Sequence, residues 1–316
     1  VTAEPRVSVA ISLLDEEEVL PELLRRLAAV LDGLPGGPHE IVLVDDGSTD
    51  ATFELIAAAA ATDPRIVGLS LSRNFGHQAA LSAALDHASG DVVVVMDGDL
   101  QDPPEEIPRL VDVHLTGFDV VYARRTNRQE HWALRASYYL FYRLLSALAD
   151  VRLPLDSGDF ALLSRRVVDE LRAIPEHHRY LRGLRTWVGF RQAGVDVDRP
   201  PRGAGAPGYS TAKLFRLAFD GIFGFSTAPL RAAALVGFFT TAAAMLYAAY
   251  AVFARLVLGG SPAGFTTLII AITFFSGIQL MFLGIIGEYL GRVFEETKGR
   301  PLYVIARTAG RKSDGS

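Results

Sequence analysis

Asp97 and Asp99 stand directly behind the run Val92-Val93-Val94-Val95-Met96, separated by Gly98 and followed by Leu100-Gln101-Asp102-Pro103-Pro104-Glu105. In an extended chain alternate side chains share a face, so two carboxylates at this spacing can aim at one point. Hard oxygen ligands at a strand end suit Mg²⁺ or Mn²⁺, ions that commonly bind substrate phosphates as well. Gly98 lets the backbone approach such a ligand closely. Asp-Gly-Asp also makes an ordinary turn, but a buried strand before it and Gln-Asp-Pro-Pro-Glu after it favour a metal site. A second acidic strand end, Asp45-Asp46-Gly47-Ser48-Thr49-Asp50, has an analogous place. Asp45 and Asp46 can accept hydrogen bonds from a nucleobase N–H or from ribose hydroxyls, while Ser48 or Asp50 caps the helix that follows.

Such strand ends need a scaffold that gathers them. Residues 7–14, 40–44, 66–70 and 91–96 read as strands, alternating with helices over about 17–31, 51–61 and 77–87, and a further strand covers 118–122. Near-continuous apolar strands such as Val92 to Val95 suit a mostly parallel sheet covered on both faces, an α/β class. In such sheets the ligand sits at the carboxyl ends of the strands, where both acidic pairs lie. Residues 131–149 read as an aromatic-rich helix with Tyr138, Tyr139, Phe141 and Tyr142.

Composition divides the chain. Its 316 residues carry a net charge of −5 and no cysteine. That excludes a disulfide scaffold, a thiolate metal site and a cysteine nucleophile, and it argues against nucleic-acid binding, which needs a basic footprint. Between Arg231 and Arg292 the only charges are Arg231, Arg255, Glu288 and Arg292. Residues 232–254 and 264–287 are uncharged runs, each long enough as a helix (~1.5 Å per residue) to cross a hydrocarbon core of about 30 Å. Gly259, Gly260, Ser261 and Pro262 join them as a turn. Lys213, Arg216 and Arg231 before the hairpin, and Arg292, Lys298 and Arg300 after it, place both ends on the cytoplasmic side by the positive-inside rule. Glu288 falls at the interface. Residues 213–225 are amphipathic and read as a helix lying in the headgroup layer. The chain enters a strand almost at once, with no signal-peptide pattern, and residues 310–316 read as a disordered tail.

The stretches Val42 to Asp50, Arg73-Asn74-Phe75-Gly76 and Asp97 to Glu105, in this order and spacing, resemble the family 2 glycosyltransferases with a GT-A fold. Within that family the chain is similar to the polyprenyl-phosphate subgroup, with its bactoprenol and dolichyl-phosphate branches. The likeness covers about residues 7–304, and the two-helix tail matches the bactoprenol branch. It implies inverting transfer of a sugar from a nucleotide-sugar, UDP-linked, to polyprenyl phosphate at the cytoplasmic face of the inner membrane. The product would donate sugar to cell-envelope glycan or glycolipid. Carried over by motif, Asp97 and Asp99 would hold the metal. Asp15, Glu16, Asp45, Asp46, Arg73, Asn74, Gly76, Asp97 and Gly98 would line the nucleotide-sugar. Asp159, in Gly158-Asp159-Phe160, would lie beside sugar and acceptor. Tyr209 and Lys213 fall in the family's Ser-Lys-Tyr region. The resemblance and the aromatic helix imply a homo-oligomer, with a tetramer as the candidate state.

The chain departs from the family in two places. The first strand usually ends Pro-x-Tyr-Asn-Glu, and here it reads Ser12-Leu13-Leu14-Asp15-Glu16; Ser-Lys-Tyr is absent as such. An anionic acceptor needs cations, and Arg179, Arg182, Arg185 and Arg202 join Tyr209 and Lys213 as candidates, because guanidinium forks match phosphate. Were their segment helical, Arg179, Arg182 and Arg185 would share one face. These readings divide the chain into a catalytic domain (1–210), an interfacial helix (211–228), a membrane hairpin (229–291) and a C-terminal segment and tail (292–316). Two other functions compete: a processive polysaccharide synthase and a non-catalytic polyprenyl-lipid-binding protein. The first lacks its Gln-x-x-Arg-Trp, the nearest stretch being Leu184-Arg185-Thr186-Trp187, and intact Asp97 and Asp99 oppose the second. Gly203-Ala204-Gly205-Ala206-Pro207-Gly208 fits a dinucleotide fingerprint by letter alone, since no strand precedes it. The adjacent His177 and His178 lack zinc-site spacing.

Overall fold

The computed structural model describes residues 4–125, 157–177, 179–198, 228–257 and 264–310. They form two compact units, one holding the chain up to Ser137, Val151–Gly208 and Arg300–Ser316, the other centred on Tyr209–Gly299.

The first unit is the expected α/β body. Its chain order is β1 (Val7–Leu13), α1 (Leu20–Gly33), β2 (Glu40–Asp45), α2 (Thr52–Thr62), β3 (Ile66–Leu71), α3 (His77–His87), β4 (Val92–Asp97), α4 (Ile107–Leu115) and β5 (Val120–Arg125). Then follow β6 (Ser157–Ser164), α5 (Arg165–Ala173), α6 (Leu181–Trp187) and β7 (Gln192–Val197). One eight-stranded sheet takes the order β7-β5-β6-β4-β1-β2-β3-β8, where β8 is Ile305–Gly310. The strands β4, β1, β2 and β3 are mutually parallel, and β6 enters antiparallel beside β4. Every residue of β1 and β2 is buried, as the apolar runs require of strands covered on both faces. In α1, Leu20, Leu23, Leu27 and Leu31 fall at helical spacing and are buried against the sheet. Each contributes roughly 1.5–3 kcal/mol by its burial.

The order turns at one place. From β1 the chain steps to β2 and β3 on one side, then returns to set β4 on the other. The crevice at the carboxyl ends of β1 and β4 is therefore the switch point, where ligands of such sheets bind.

Two boundaries differ from the sequence reading. The first helix begins at Leu20, not near Glu17, because Glu16 and Glu17 are bonded to a neighbouring loop. Glu16 donates its N–H to Thr52 Oγ1 and Glu17 to Asp50 Oδ2, while the Glu17 carboxylate accepts from the Ala51 N–H. The strand β8 went unread, and Gly310, assigned to a tail, closes it. It is short and largely exposed, and it pairs antiparallel with β3 some 240 residues earlier in the chain. Arg307 pairs with Glu54 at 3.0 Å and lies 4.2 Å from the Phe53 ring centroid, and Tyr303 donates its hydroxyl to Asp86 at 2.9 Å.

The second unit holds α7 (Ala228–Val257) and α8 (Phe265–Thr297), an apolar helical hairpin. Both helices outrun the expected spans, and the stretches long and apolar enough to cross a membrane are Ala232–Tyr250 and Phe274–Thr297. Phe238, Leu246, Leu280 and Leu290 are exposed along them. Glu288 and Arg292, one helical turn apart in α8, pair at 3.2 Å. The aromatic helix expected over 131–149 and the interfacial helix over 213–225 lie outside the described residues.

Candidate active site

The β1–β4 register sets Ser12 beside Asp97, the last residue of β4. A Cβ on Gly98 would come within 2.3 Å of Leu13 Cδ2, so a glycine is what lets the chain turn tightly over β1 here. Beyond it Leu100 takes a positive φ of 59°, an uncommon conformation for a non-glycine residue. Buried Asp102 accepts from the Asp97 N–H at 3.3 Å and Asp99 Oδ1 accepts from the Gln101 N–H at 3.1 Å, closing the acidic loop on itself.

Two further elements converge on Asp97. The antiparallel register pairs Val95 with Ala161, and carried two residues on it brings Asp159 of β6 opposite Asp97. From the other side α3 opens with His77, whose Nδ1 is hydrogen-bonded to Ser12 Oγ at 2.8 Å and whose Nε2 lies 3.6 Å from Asp97 Oδ1. Ligand atoms of His77, Asp97 and Asp159 all lie within 4.8 Å of one another. One imidazole and two carboxylates make a donor set that fits a divalent cation. Asp99 is adjacent in the chain but outside that trio.

His77 owes its place to the other acidic strand end. Asp46, after β2, accepts from the N–H groups of Phe75 (2.8 Å) and Gly76 (3.0 Å), gripping the loop that delivers α3. Gly76 takes φ 98°, open to glycine at no cost in Cβ strain. Burial pushes the Asp46 carboxyl above the usual carboxylate range, and the two N–H groups offset that only in part. Asp45 accepts from the Ser48 N–H (3.0 Å) and from Ser70 Oγ (2.8 Å), closing the turn and tying β2 to β3. Gly47, at φ 75°, brings that turn against the backbone of Arg73 and Asn74, where a Cβ would stand 2.6 Å from the Arg73 carbonyl carbon. Asp15, at φ 53°, accepts from the Thr49 N–H at 2.8 Å, so the β1 and β2 loops are laced together. Arg73 stacks on Phe75, its guanidinium carbon 4.0 Å from the ring centroid, and donates to the Asn74 carbonyl.

The three described arginine candidates do not share a helix face. The helix α6 begins at Leu181, which leaves Arg179 before it, donating to the Ile174 and Glu176 carbonyls. Arg182 pairs with Asp159 at 2.8 Å. Arg185 is buried, donates to the Gly158 carbonyl at 3.0 Å, and leaves its Nε without a partner. Burial pushes its guanidinium down to about 10. Burial also raises the Asp159 carboxyl, but Arg182, with His77 and Arg185 behind it, outweighs that and holds it below the usual range. Arg202, Tyr209 and Lys213 lie outside the described residues.

The sequence marks neither His77 nor Ser12 as a site residue. His77 is the start of a helix, and its place right after Arg73-Asn74-Phe75-Gly76, behind β3, is the signal that points to it. Ser12 gives no signal without the β1–β4 register.

Residues 8–172 match the glycosyl transferase family 2 model, and residues 228–293 match the GtrB C-terminal hairpin. An uncharacterized glycosyltransferase of Synechocystis is 41% identical over 301 residues, 95% of this chain and 94% of that one. Another, from Bacillus subtilis, is 40% identical over 304 residues, 96% and 94% of the two chains. The bactoprenol glucosyl transferase of Shigella phage SfII is 38% identical over 304 residues, 96% of this chain and 98% of that one.

Proposed function

Because the chain belongs to glycosyltransferase family 2, with a GtrB-type hairpin behind its catalytic body, we propose that it moves a sugar from a nucleotide-sugar to the phosphate of a polyprenol. The observation that carries this reading is the end-to-end likeness to a bactoprenol glucosyl transferase, which spans catalytic body and hairpin alike. The gathering of Asp97, His77 and Asp159 at the switch point supports it. A UDP-linked donor fits the likeness to the bactoprenol branch.

A phosphate monoester has a second pKa of about 6, so the acceptor is largely ionised near neutral pH. Its oxygen attacks the anomeric carbon as the bond to the nucleoside diphosphate breaks, and a single displacement inverts the configuration. The acceptor needs no strong base. Asp159, held ionised by Arg182, is a weak base and suits the task of orienting sugar or acceptor. A Mg²⁺ or Mn²⁺ ion on Asp97 and Asp99 would neutralise the departing diphosphate. Asp46 and Asp45 shape the loops that carry Asn74, Gly76 and His77 toward the nucleotide-sugar. The α7–α8 hairpin would anchor the chain with two spans and leave catalytic domain and termini on the cytoplasmic face. The divisions near residues 210 and 228 and a homo-oligomeric, tetrameric state belong to the same reading.

A donor panel tests it: the full chain in bilayers, polyprenyl phosphate, Mg²⁺ or Mn²⁺, and mass spectrometry of the lipid. A glycosyl polyprenyl phosphate from at least one donor is expected. No lipid product from any donor overturns the reading.

A further inference from the structure

We infer that His77 is a nitrogen ligand of the catalytic cation and thereby selects Mn²⁺ over Mg²⁺, an inference that rests on the metal-dependent reading above.

The geometry is specific to this chain's fold. Ser12 on β1 and Asp97 on β4 are register partners, and His77 spans them from the first position of α3. Buried Ser12 occupies Nδ1 at 2.8 Å, which leaves Nε2 as the nitrogen turned to Asp97 Oδ1 at 3.6 Å. A hydrogen bond at one ring nitrogen fixes which nitrogen is offered to a metal, an arrangement usual for ligating histidines. Bonds of about 2.1 Å put opposite ligands of one cation about 4.2 Å apart at most. The 3.6 Å between Nε2 and Oδ1 falls within that limit. Asp159, the third donor of the cluster, shares its carboxylate with the Arg182 guanidinium at 2.8 Å, which makes it the weaker of the two carboxylate ligands.

Imidazole nitrogen suits transition metals, whereas Mg²⁺ prefers oxygen and keeps its waters. A site of carboxylates alone would discriminate little between the two ions. Adding His77 tilts it toward Mn²⁺. His77 is exposed at the surface of the crevice, so its replacement removes little packing.

The test uses full-length protein in detergent with Mn²⁺ as the probe, read by pulsed electron paramagnetic resonance and by direct binding titration. Wild type is expected to show hyperfine coupling from one directly bound ¹⁴N. In His77→Ala that coupling disappears, Mn²⁺ affinity falls roughly tenfold or more, and Mg²⁺ competes nearly as well as Mn²⁺. His77→Asn, which keeps size but not the imidazole, behaves in the same way. Mn²⁺ bound without nitrogen coupling in wild type, or coupling that persists in His77→Ala, overturns this inference and leaves the glycosyl-transfer reading standing. No Mn²⁺ bound at the site overturns both the inference and the metal part of that reading.

Discussion

The two acidic strand ends look alike in sequence and do different work in the fold. Behind β2, Asp45 and Asp46 are 1% and 3% exposed, and their four carboxylate oxygens accept from Ser48, Ser70, Phe75 and Gly76. At the end of β4, Asp97 stands part-exposed beside His77 and Asp159, with Asp99 two residues on. One pair builds the loops and places the histidine that faces Asp97 of the other, the pair proposed to meet the ligand. Carboxylate spacing alone does not separate these roles. Burial and surroundings do: Asp45 and Asp46 are buried among four donors, whereas Asp97 is part-exposed beside His77.

Substitutions can break this contrast. The largest effect is expected of Asp99→Ala, which should reduce lipid-linked sugar formation by at least about 10²–10³-fold. Its thermal unfolding midpoint should stay at the wild-type value. Retained transfer would remove Asp99 from the metal site.

Asp46→Ala should show the opposite profile. It leaves two part-buried N–H groups without their acceptor and should cost about 1–3 kcal/mol of stability, seen as a fall of several degrees in unfolding temperature. Transfer should fall with it, because His77 loses its placement. An unchanged unfolding curve would deny the structural role.

Arg182→Met sharpens the assignment of Asp159. In the fold Arg182 holds that carboxyl below its ordinary value. The pair's contribution is therefore present above the unfolded pKa of about 3.9 and is lost as pH falls through the lower folded value. Without Arg182, burial is left to push the carboxyl up. The acid limb of the kcat/KM profile should then move to higher pH relative to wild type. An unmoved limb would mean that Asp159 ionisation does not govern transfer.

The smallest effect is expected of Tyr303→Phe, which touches neither acidic pair. It removes one hydroxyl bond to Asp86 and should cost roughly 0.5–1.5 kcal/mol in unfolding titrations, with kcat unchanged.

Much of this was legible in the sequence. The helix His77–His87 was read to the residue, and the strand ends carrying both acidic pairs came from apolar runs and a following Gly. The hairpin followed from two uncharged runs. Contacts set by long-range register were not legible. Ser12 meets His77 across 65 residues, Asp159 meets Arg182 across 23, and β8 meets β3 after the whole hairpin has intervened. Local periodicity carries none of these. The arginine triplet failed for a related reason: spacing by three promises a shared face only inside a helix, and Arg179 stands outside α6.

The most direct measurement is transfer by Asp97→Ala beside wild type, with full-length protein in bilayers, polyprenyl phosphate, Mn²⁺ and the labelled UDP-sugar that the donor panel selects. The expected result is labelled sugar in the lipid phase for wild type and none above background for the variant, with superimposable unfolding curves. Equal labelling by both proteins would contradict a chemical role for the carboxylate that ends β4.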